Sequence, residues 1–468
     1  MDDSPISNDQ AKWDFQNDGM NIDPKQSIEN TIIDFSISVQ NQSFDGILFN
    51  LDNLLHLTST YEIHLNSSIT SYNFPQILIT LYEDDNLEIS LRVRRLIYQI
   101  SKFRKSNLIE YLLETEFCNK LFSLFPLDSK QLHIHLQCIR NIIHDFSQII
   151  DFIYSENKIN EYFLPLINSP DLTNCNCKLI LAILSMISKA EYSIKTKTCL
   201  IDLCVQALKN DQLAENWAFL LNIISEMVIN NEIFDYIIIN NKELLIISQS
   251  FIRSNDPSLI EASVRFIGKR FLYTNDPILC LNDHESVDFR NCIDYRKIMK
   301  CVSSDSSDLS YICIWFLSTV LAINSEMISI IEQNGNIYQI LTGFCDQDRK
   351  WICKLEACKA MYSIILLGST TQIEKAIQAN FIEHLVAALE CDENTMFSEK
   401  AFYAINYLLN VKSPRMDNGY SDLCWKQFLQ SEGPSRVEDF AGQMDKPSIS
   451  KKAQIILNKA QNFEREKQ

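Results

Sequence analysis

At 468 residues the chain is too long for one compact core, so it holds either several domains or one extended repeat array. Its 9 glycines and 11 prolines, against 46% hydrophobic residues, leave little material for hairpins or a phosphate-binding loop and ample material for packed helices. A formal charge of −18 argues against general nucleic-acid binding and favours basic partners, because a negative surface attracts cations and repels phosphate.

Residues 1–28 are polar and acidic (Asp2, Asp3, Asp9, Asp14, Asp18, Asp23) and read as a disordered arm. Helical periodicity begins near Glu29 and hardly stops before residue 411. Units start near Glu29, Phe74, Phe117, Ile159, Cys199, Leu244, Lys297, Ile337 and Ile382, which makes about nine repeats. Polar breaks such as Glu83–Asn86, Asn210-Asp211 and Ser254–Pro257 supply residues that cap the helix after them. Tyr273–Asn291 carries extra polar residues and is expected to be a loop insertion. Residues 412–424 read as a loop, 425–463 as a closing element of about two helices, and 464–468 as a tail. No stretch reaches the roughly 20 apolar residues of a membrane span, and the amino terminus lacks the layout of a secretion signal. An intracellular chain is expected, its 15 cysteines serving as small buried apolar groups.

The repeat is clearest in Tyr311–Phe344. Ile312, Trp315, Phe316, Thr319 and Val320 form one helical stripe, and a second run stops at Asn334-Gly335. Lys354–Leu389 repeats the plan, with Lys359 under Trp315 and Ser363 under Thr319, 44 residues on. Self-similarity at that period points to a stacked helical solenoid of the HEAT or armadillo size class.

Several segments go further and resemble importin-α (karyopherin-α). Trp315-Phe-Leu-Ser-Thr319 stands where that family has Trp-x-x-x-Asn, and Arg265-Phe-Ile-Gly268 resembles the repeat in which arginine interrupts the tryptophan series. Gln137–Asp145 keeps an asparagine, Asn141, and an aspartate four residues later. Glu356-Ala-Cys-Lys359 resembles the Glu-Ala-x-Trp start of a repeat, and the segment from Ser431 to Leu457 resembles the closing repeat. The resemblance covers about Glu29–Phe463. It implies an all-α, right-handed superhelical armadillo solenoid that adapts cargo for nuclear import, working in cytoplasm and nucleus. Its partners would be proteins bearing basic nuclear localisation signals, with an importin-β or an export receptor, and neither nucleic acid nor membrane.

In that family Trp and Asn at i and i+4 on each third helix make two ladders: amides fix an extended peptide backbone and indoles wall slots for lysine stems. The equivalent pairs here are Arg95/Gln99, Gln137/Asn141, Leu181/Ser185, Trp217/Leu221, Arg265/Lys269, Trp315/Thr319 and Lys359/Ser363, 44 residues apart on average. The register survives although most of the side chains do not. Three missing indoles in the first half cost about 3 kcal/mol, roughly a hundredfold in affinity, and Arg95 repels a lysine. The resemblance therefore implies a signal-binding set of Trp315, Thr319, Glu356 and Ser363. Trp217 (with Asn222 one residue out of register), Asn141, Asp145, Gln99 and Arg265 join it. Residues 1–28 hold only Lys12 and Lys25 among their acids, so they do not supply the family's basic importin-β-binding helix. The alternative is an armadillo scaffold that has lost signal recognition.

Other motifs carry less. In His133-Ile-His135 the two side chains diverge around a helix axis, and Cys175-Asn-Cys177 with Cys199 and Cys204 lacks zinc-site spacing. Buried thiols are expected there, with no metal and no cofactor. No Walker loop, GxSxG or HExxH occurs, so the sequence offers nothing for an enzyme reading.

Overall fold

The computed structural model describes residues 23–63, 70–114, 116–123, 128–190, 194–273, 278–282, 285–346, 351–390, 395–410, 418–443 and 445–467. Most of the acidic arm, residues 1–22, lies outside them. The chain divides into two compact units, Met1–Ile187 and Ser188–Gln468.

The first unit opens on α1 (Pro24–Gln40) and α2 (Phe44–Thr58), followed by α3 (Phe74–Leu81), α4 (Leu87–Ile100), α5 (Asn107–Leu113), α6 (Phe117–Leu121) and α7 (Ser129–Asp145). It continues through α8 (Gln148–Ser155), a π-turn at Ile159–Phe163 running into α9 (Leu164–Ile167), and α10 (Asn174–Ser188), which ends at the boundary. The second unit holds α11 (Ile194–Leu208), a 3-10 turn, α12 (Trp217–Met227), α13 (Asn231–Asn240), α14 (Glu243–Ile252) and α15 (Pro257–Tyr273). A hairpin of β1 (Ile278–Asn282) and β2 (Glu285–Asp288) leads into α16 (Phe289–Cys292), α17 (Tyr295–Cys301) and α18 (Ser307–Leu321). Next come α19 (Ser325–Asn334), α20 (Ile337–Asp346), α21 (Trp351–Leu367), α22 (Thr370–Gln378), α23 (Phe381–Ala387) and α24 (Thr395–Asn410). Three helices close the chain: α25 (Asn418–Gln430), α26 (Gly433–Ala441) and α27 (Pro447–Lys467).

Local chemistry sets these boundaries. Asn86 accepts from the amides of Glu88 and Ile89 at the start of α4, Asn230 from Ile233 at α13, and Asn324 from Met327 at α19. Asp128 with Gln131 and Ser369 with Gln372 form reciprocal capping boxes at α7 and α22. Asn73 and Asn380 take left-handed backbone angles, with φ of 55° and 60°, just before α3 and α23. Asparagine tolerates that region better than a bulkier side chain would.

Within each unit third helices stack on one another in series. In the first unit α2 packs on α4 and α4 on α7; in the second the series runs α12, α15, α18, α21, α24, α27. Each contributes a nearly solid apolar face, as α18 does with Leu309, Ile312, Cys313, Ile314, Phe316, Leu317, Val320 and Leu321, all buried. The result is an all-α armadillo-type stack of three-helix repeats.

Four details differ from the sequence reading. Helix α1 starts inside the 1–28 arm, because Asp23 caps it by accepting from the Lys25 amide and Pro24 pre-sets the first turn. The expected loop at 412–424 is helical from Asn418, and the closing element has three helices rather than two, the last reaching Lys467. The Tyr273–Asn291 insertion contains an antiparallel hairpin, Ile278 opposite Asp288, with a bulge between Cys280 and Asn282. Buried Arg270 anchors it, donating through Nη2 to the Ile278 carbonyl at 3.2 Å while Nη1 holds Asp235 at 2.5 Å.

A polar cluster lies inside the first unit. The Tyr82 hydroxyl is 2.8 Å from His135 Nδ1, His135 Nε2 is 3.0 Å from the Leu121 carbonyl, and the Arg94 guanidinium lies 4.1 Å from the Tyr82 ring centroid. Burial pushes the imidazole down to about 3, Arg94 adds to the push and the Leu121 bond opposes it. Below about pH 6.5 the unfolded chain takes up a proton that the folded chain refuses until about pH 3. The stabilisation is therefore complete above that window and is lost as pH falls through it. Acidification from about pH 7 to 5 should cost about 2 kcal/mol. Urea unfolding at both pH values checks this against His135→Phe, which should be less stable at pH 7 for want of an acceptor for Tyr82, yet show a flatter pH dependence. An equal pH dependence in the two proteins would remove the assignment.

Candidate functional site

On α18 the residues Tyr311, Trp315 and Thr319, at i, i+4 and i+8, are half-buried while the positions between them are buried. Glu261, Arg265 and Lys269 form the same half-buried stripe on α15. On α21 Lys359 is half-buried, whereas Glu356 and Ser363 are 6% and 7% exposed. Because α15, α18 and α21 stack in succession, the three stripes lie on neighbouring helices.

Trp315 is seated on Gly268. A Cβ at Gly268 would stand 2.5 Å from Cζ3 and 2.8 Å from Cη2 of the indole, so only glycine lets the ring lie this close to α15. Thr319 turns back into its own helix, its hydroxyl donating to the Trp315 carbonyl at 2.9 Å, and Ser363 does the same to the Lys359 carbonyl at 3.0 Å. The i+4 hydroxyls are thus committed as donors to their own helices.

The acidic groups of the stripe are engaged within the chain. Glu356 Oε2 accepts from Ser318 Oγ at 2.9 Å, and Oε1 accepts from Lys359 Nζ at 2.7 Å. Arg265 Nη2 donates to Glu261 Oε1 at 2.5 Å, one turn away. Tyr311 stands in this field: burial pushes its hydroxyl up, Glu356 adds to the rise and Arg265 opposes it. Burial lowers Lys269, with Arg265 adding and Glu226 opposing. Sequence reading missed Tyr311, Gly268 and the pairing role of Lys359. Two of the signals were legible: Tyr311 is four residues before Trp315, and Lys359 is three after Glu356.

Trp217 faces a different neighbour. It is the first residue of α12, and its ring stacks on Phe251 of α14 with centroids 5.4 Å apart and planes at 23°. Among the described residues its buried indole N–H meets no hydrogen-bond partner, nor does Asn222 Oδ1, and Leu221 is in the core.

In the first unit the predicted polar residues tie neighbouring layers together. Gln99 Oε1 accepts from Thr58 of α2 at 2.7 Å, and Asn141 Nδ2 donates to Ser101 at 3.2 Å. Asp145 Oδ2 accepts the Lys105 backbone N–H at 3.1 Å, at a residue with φ of 53°, and His144 Nδ1 lies 2.8 Å from Oδ1. Partial desolvation raises the Asp145 carboxyl, but the bonds from His144 and Lys105, with Arg104 nearby, outweigh it and hold the group below the usual carboxylate range.

No family model and no curated protein matches the chain in sequence. Among solved structures, an engineered protein is similar over 93% of this chain and 98% of its own, with a TM-score of 0.65 and 15% identity. A designed armadillo repeat protein in complex with a (KR)4 peptide aligns over 56% of this chain and 99% of its own, with a TM-score of 0.42 and 18% identity. A computationally designed armadillo repeat protein for modular peptide recognition aligns over 55% and 98%, with a TM-score of 0.43 and 17% identity. At 15% identity the likeness to the engineered protein concerns the fold alone.

The seat of Trp315 can be tested directly. Gly268→Ala should displace the indole and cost about 1–3 kcal/mol, the usual penalty of overpacking, with a shift in tryptophan emission that disappears in a Trp315→Phe background. Unchanged stability and emission would mean that the ring does not rest on α15.

Proposed function

We propose that the chain is a binding scaffold of importin-α type that takes an extended segment of a cargo protein along the third-helix stripes of α15, α18 and α21. The observation that carries this reading is Trp315, half-buried on the stripe and held in a glycine seat. On this reading the cargo carries a basic nuclear localisation signal, the protein works in cytoplasm and nucleus, and an importin-β or an export receptor completes the transport complex.

Lys359 modifies how such a signal would bind. An incoming lysine must displace it from Glu356, exchanging one ammonium for another with little net Coulomb gain. What remains is indole contact, worth about 1 kcal/mol, and main-chain hydrogen bonding. The same pair favours the second reading, an armadillo scaffold that no longer recognises basic signals and holds other proteins together.

Titration of a fluorescent lysine-rich peptide at two salt concentrations separates the two. The adaptor reading expects salt-sensitive binding that Trp315→Ala weakens about fivefold. Lys359→Ala should tighten it by a similar factor, because Glu356 is left without its own cation, and should lower the melting temperature until peptide restores it. Absence of binding at low salt in both the wild type and Lys359→Ala would eliminate signal recognition and leave the scaffold.

A further inference from the structure

Two stacked helices of the first unit carry the opposite charge to the chain as a whole. Residues 87–105, which include α4, hold six arginines and lysines and one acid, and α7 holds two cations and one acid, in a chain of net charge −18. Helices α4 and α7 pack on one another. Their carboxyl ends are tied together, Asp145 accepting from the Lys105 N–H and Asn141 donating to Ser101. Next to them, His133 Nδ1 lies 3.5 Å from the sulfur of Cys175, a thiol that is exposed and not buried as the sequence leads one to expect.

Most of these cations face solvent. Arg94 is buried, and Arg92 is paired with Asp52 and Glu88. Arg95, Lys102, Arg104, Lys105 and Arg140 are all exposed. Arg95 stands on the solvent side of α4 between Arg92 and Gln99, and Arg140 on the matching side of α7 between Gln137 and Asn141. Among the described residues neither Arg95 nor Arg140 forms an ion pair. Lys102 rests its ammonium over the Tyr98 ring, 4.5 Å from the centroid. The acid of this surface, Asp145, is already held by the Lys105 N–H and by His144 Nδ1 at 2.8 Å. Like charges on helices about 8–10 Å apart lie within a Debye length and repel one another. An anionic occupant relieves that repulsion.

We propose that the exposed face of α4 and α7 docks an acidic, extended segment of a partner protein. Charge complementarity selects the sign of the occupant, and the negative charge of the whole chain selects its kind. A long polyphosphate backbone would meet the repulsion of the acids beyond the patch, whereas a short acidic segment confines its charge to the cations. An extended chain advances about 3.3 Å per residue, so acidic side chains two or three residues apart match the step from one stacked helix to the next. The surface belongs to the first unit and the binding reading above rests on α15, α18 and α21, so the two proposals stand independently.

The test titrates the full chain with a fluorescent peptide carrying glutamate at every third position among glycines and serines. The peptide should bind at low salt and release as salt rises. Arg95→Ala and Arg140→Ala should each weaken binding about threefold, the worth of one exposed ion pair. Arg95→Glu combined with Arg140→Glu should weaken it by about tenfold or more without lowering the melting temperature, because both side chains are exposed and unpaired. Trp315→Ala should bind the peptide as the wild type does. Absence of binding at low salt, an unchanged affinity in the double reversal, or loss of binding in Trp315→Ala would each overturn the proposal. A single-stranded oligonucleotide of equal length that binds as tightly would do the same. So would peptide binding that appears only once residues 1–22 are removed, since the occupant would then be the chain's own acidic arm.

Discussion

The constraint on which the structure depends is that no repeat can bury its apolar face alone. Helix α18 hides eight large apolar or thiol side chains, and it does so because α15 and α21 pack against it, with α17 and α19 of its own repeat unit completing the cover. Stability in such a stack is close to a sum of repeat and nearest-neighbour terms. Side chains at the seams carry this coupling as well: Thr58 to Gln99, Ser101 to Asn141 and Ser318 to Glu356 each join one third helix, or the turn that ends it, to the next. A function exercised on the third-helix stripes is therefore built on the same groups that hold the layers in register.

That shared use explains which parts of the chain were readable. A 44-residue register and asparagine or aspartate caps are local signals, and the helices beginning at Phe74, Phe117 and Ile337 start where the sequence marks new units. The hairpin after α15 was not readable, since its anchor is Arg270 reaching to Asp235 on another helix. The site was half legible. Spacing marks Trp315, Thr319 and Glu356 on neighbouring third helices, but it does not show that Glu356 is already bound by Lys359, or that Trp217 turns to Phe251. Side-chain partners chosen across space leave no trace in periodicity.

Net charge says little about the stripe itself. A chain at −18 invites a basic partner, yet positions where the resembling family places tryptophan or asparagine hold Arg95, Lys269 and Lys359. The two acids of the α15 and α21 stripes, Glu261 and Glu356, are each paired with a cation of their own helix. Surface charge elsewhere still steers encounters at long range, but it does not set what happens at contact.

The decisive energy lies at Glu356, which is 6% exposed and so cannot be left without a cation cheaply. Any occupant of the stripe meets one of two conditions. A cationic side chain replaces Lys359, in which case Glu356 discriminates weakly between cations and affinity must come from the indole and the peptide backbone. Otherwise the occupant leaves the Lys359–Glu356 pair intact and packs beside it against Tyr311 and Trp315, in which case charge on the partner matters little and shape matters more. The first condition describes a weakened signal receptor and the second a scaffold with its own specificity. Lys359 is the residue whose removal distinguishes them, because it is the competitor in the first case and part of the wall in the second.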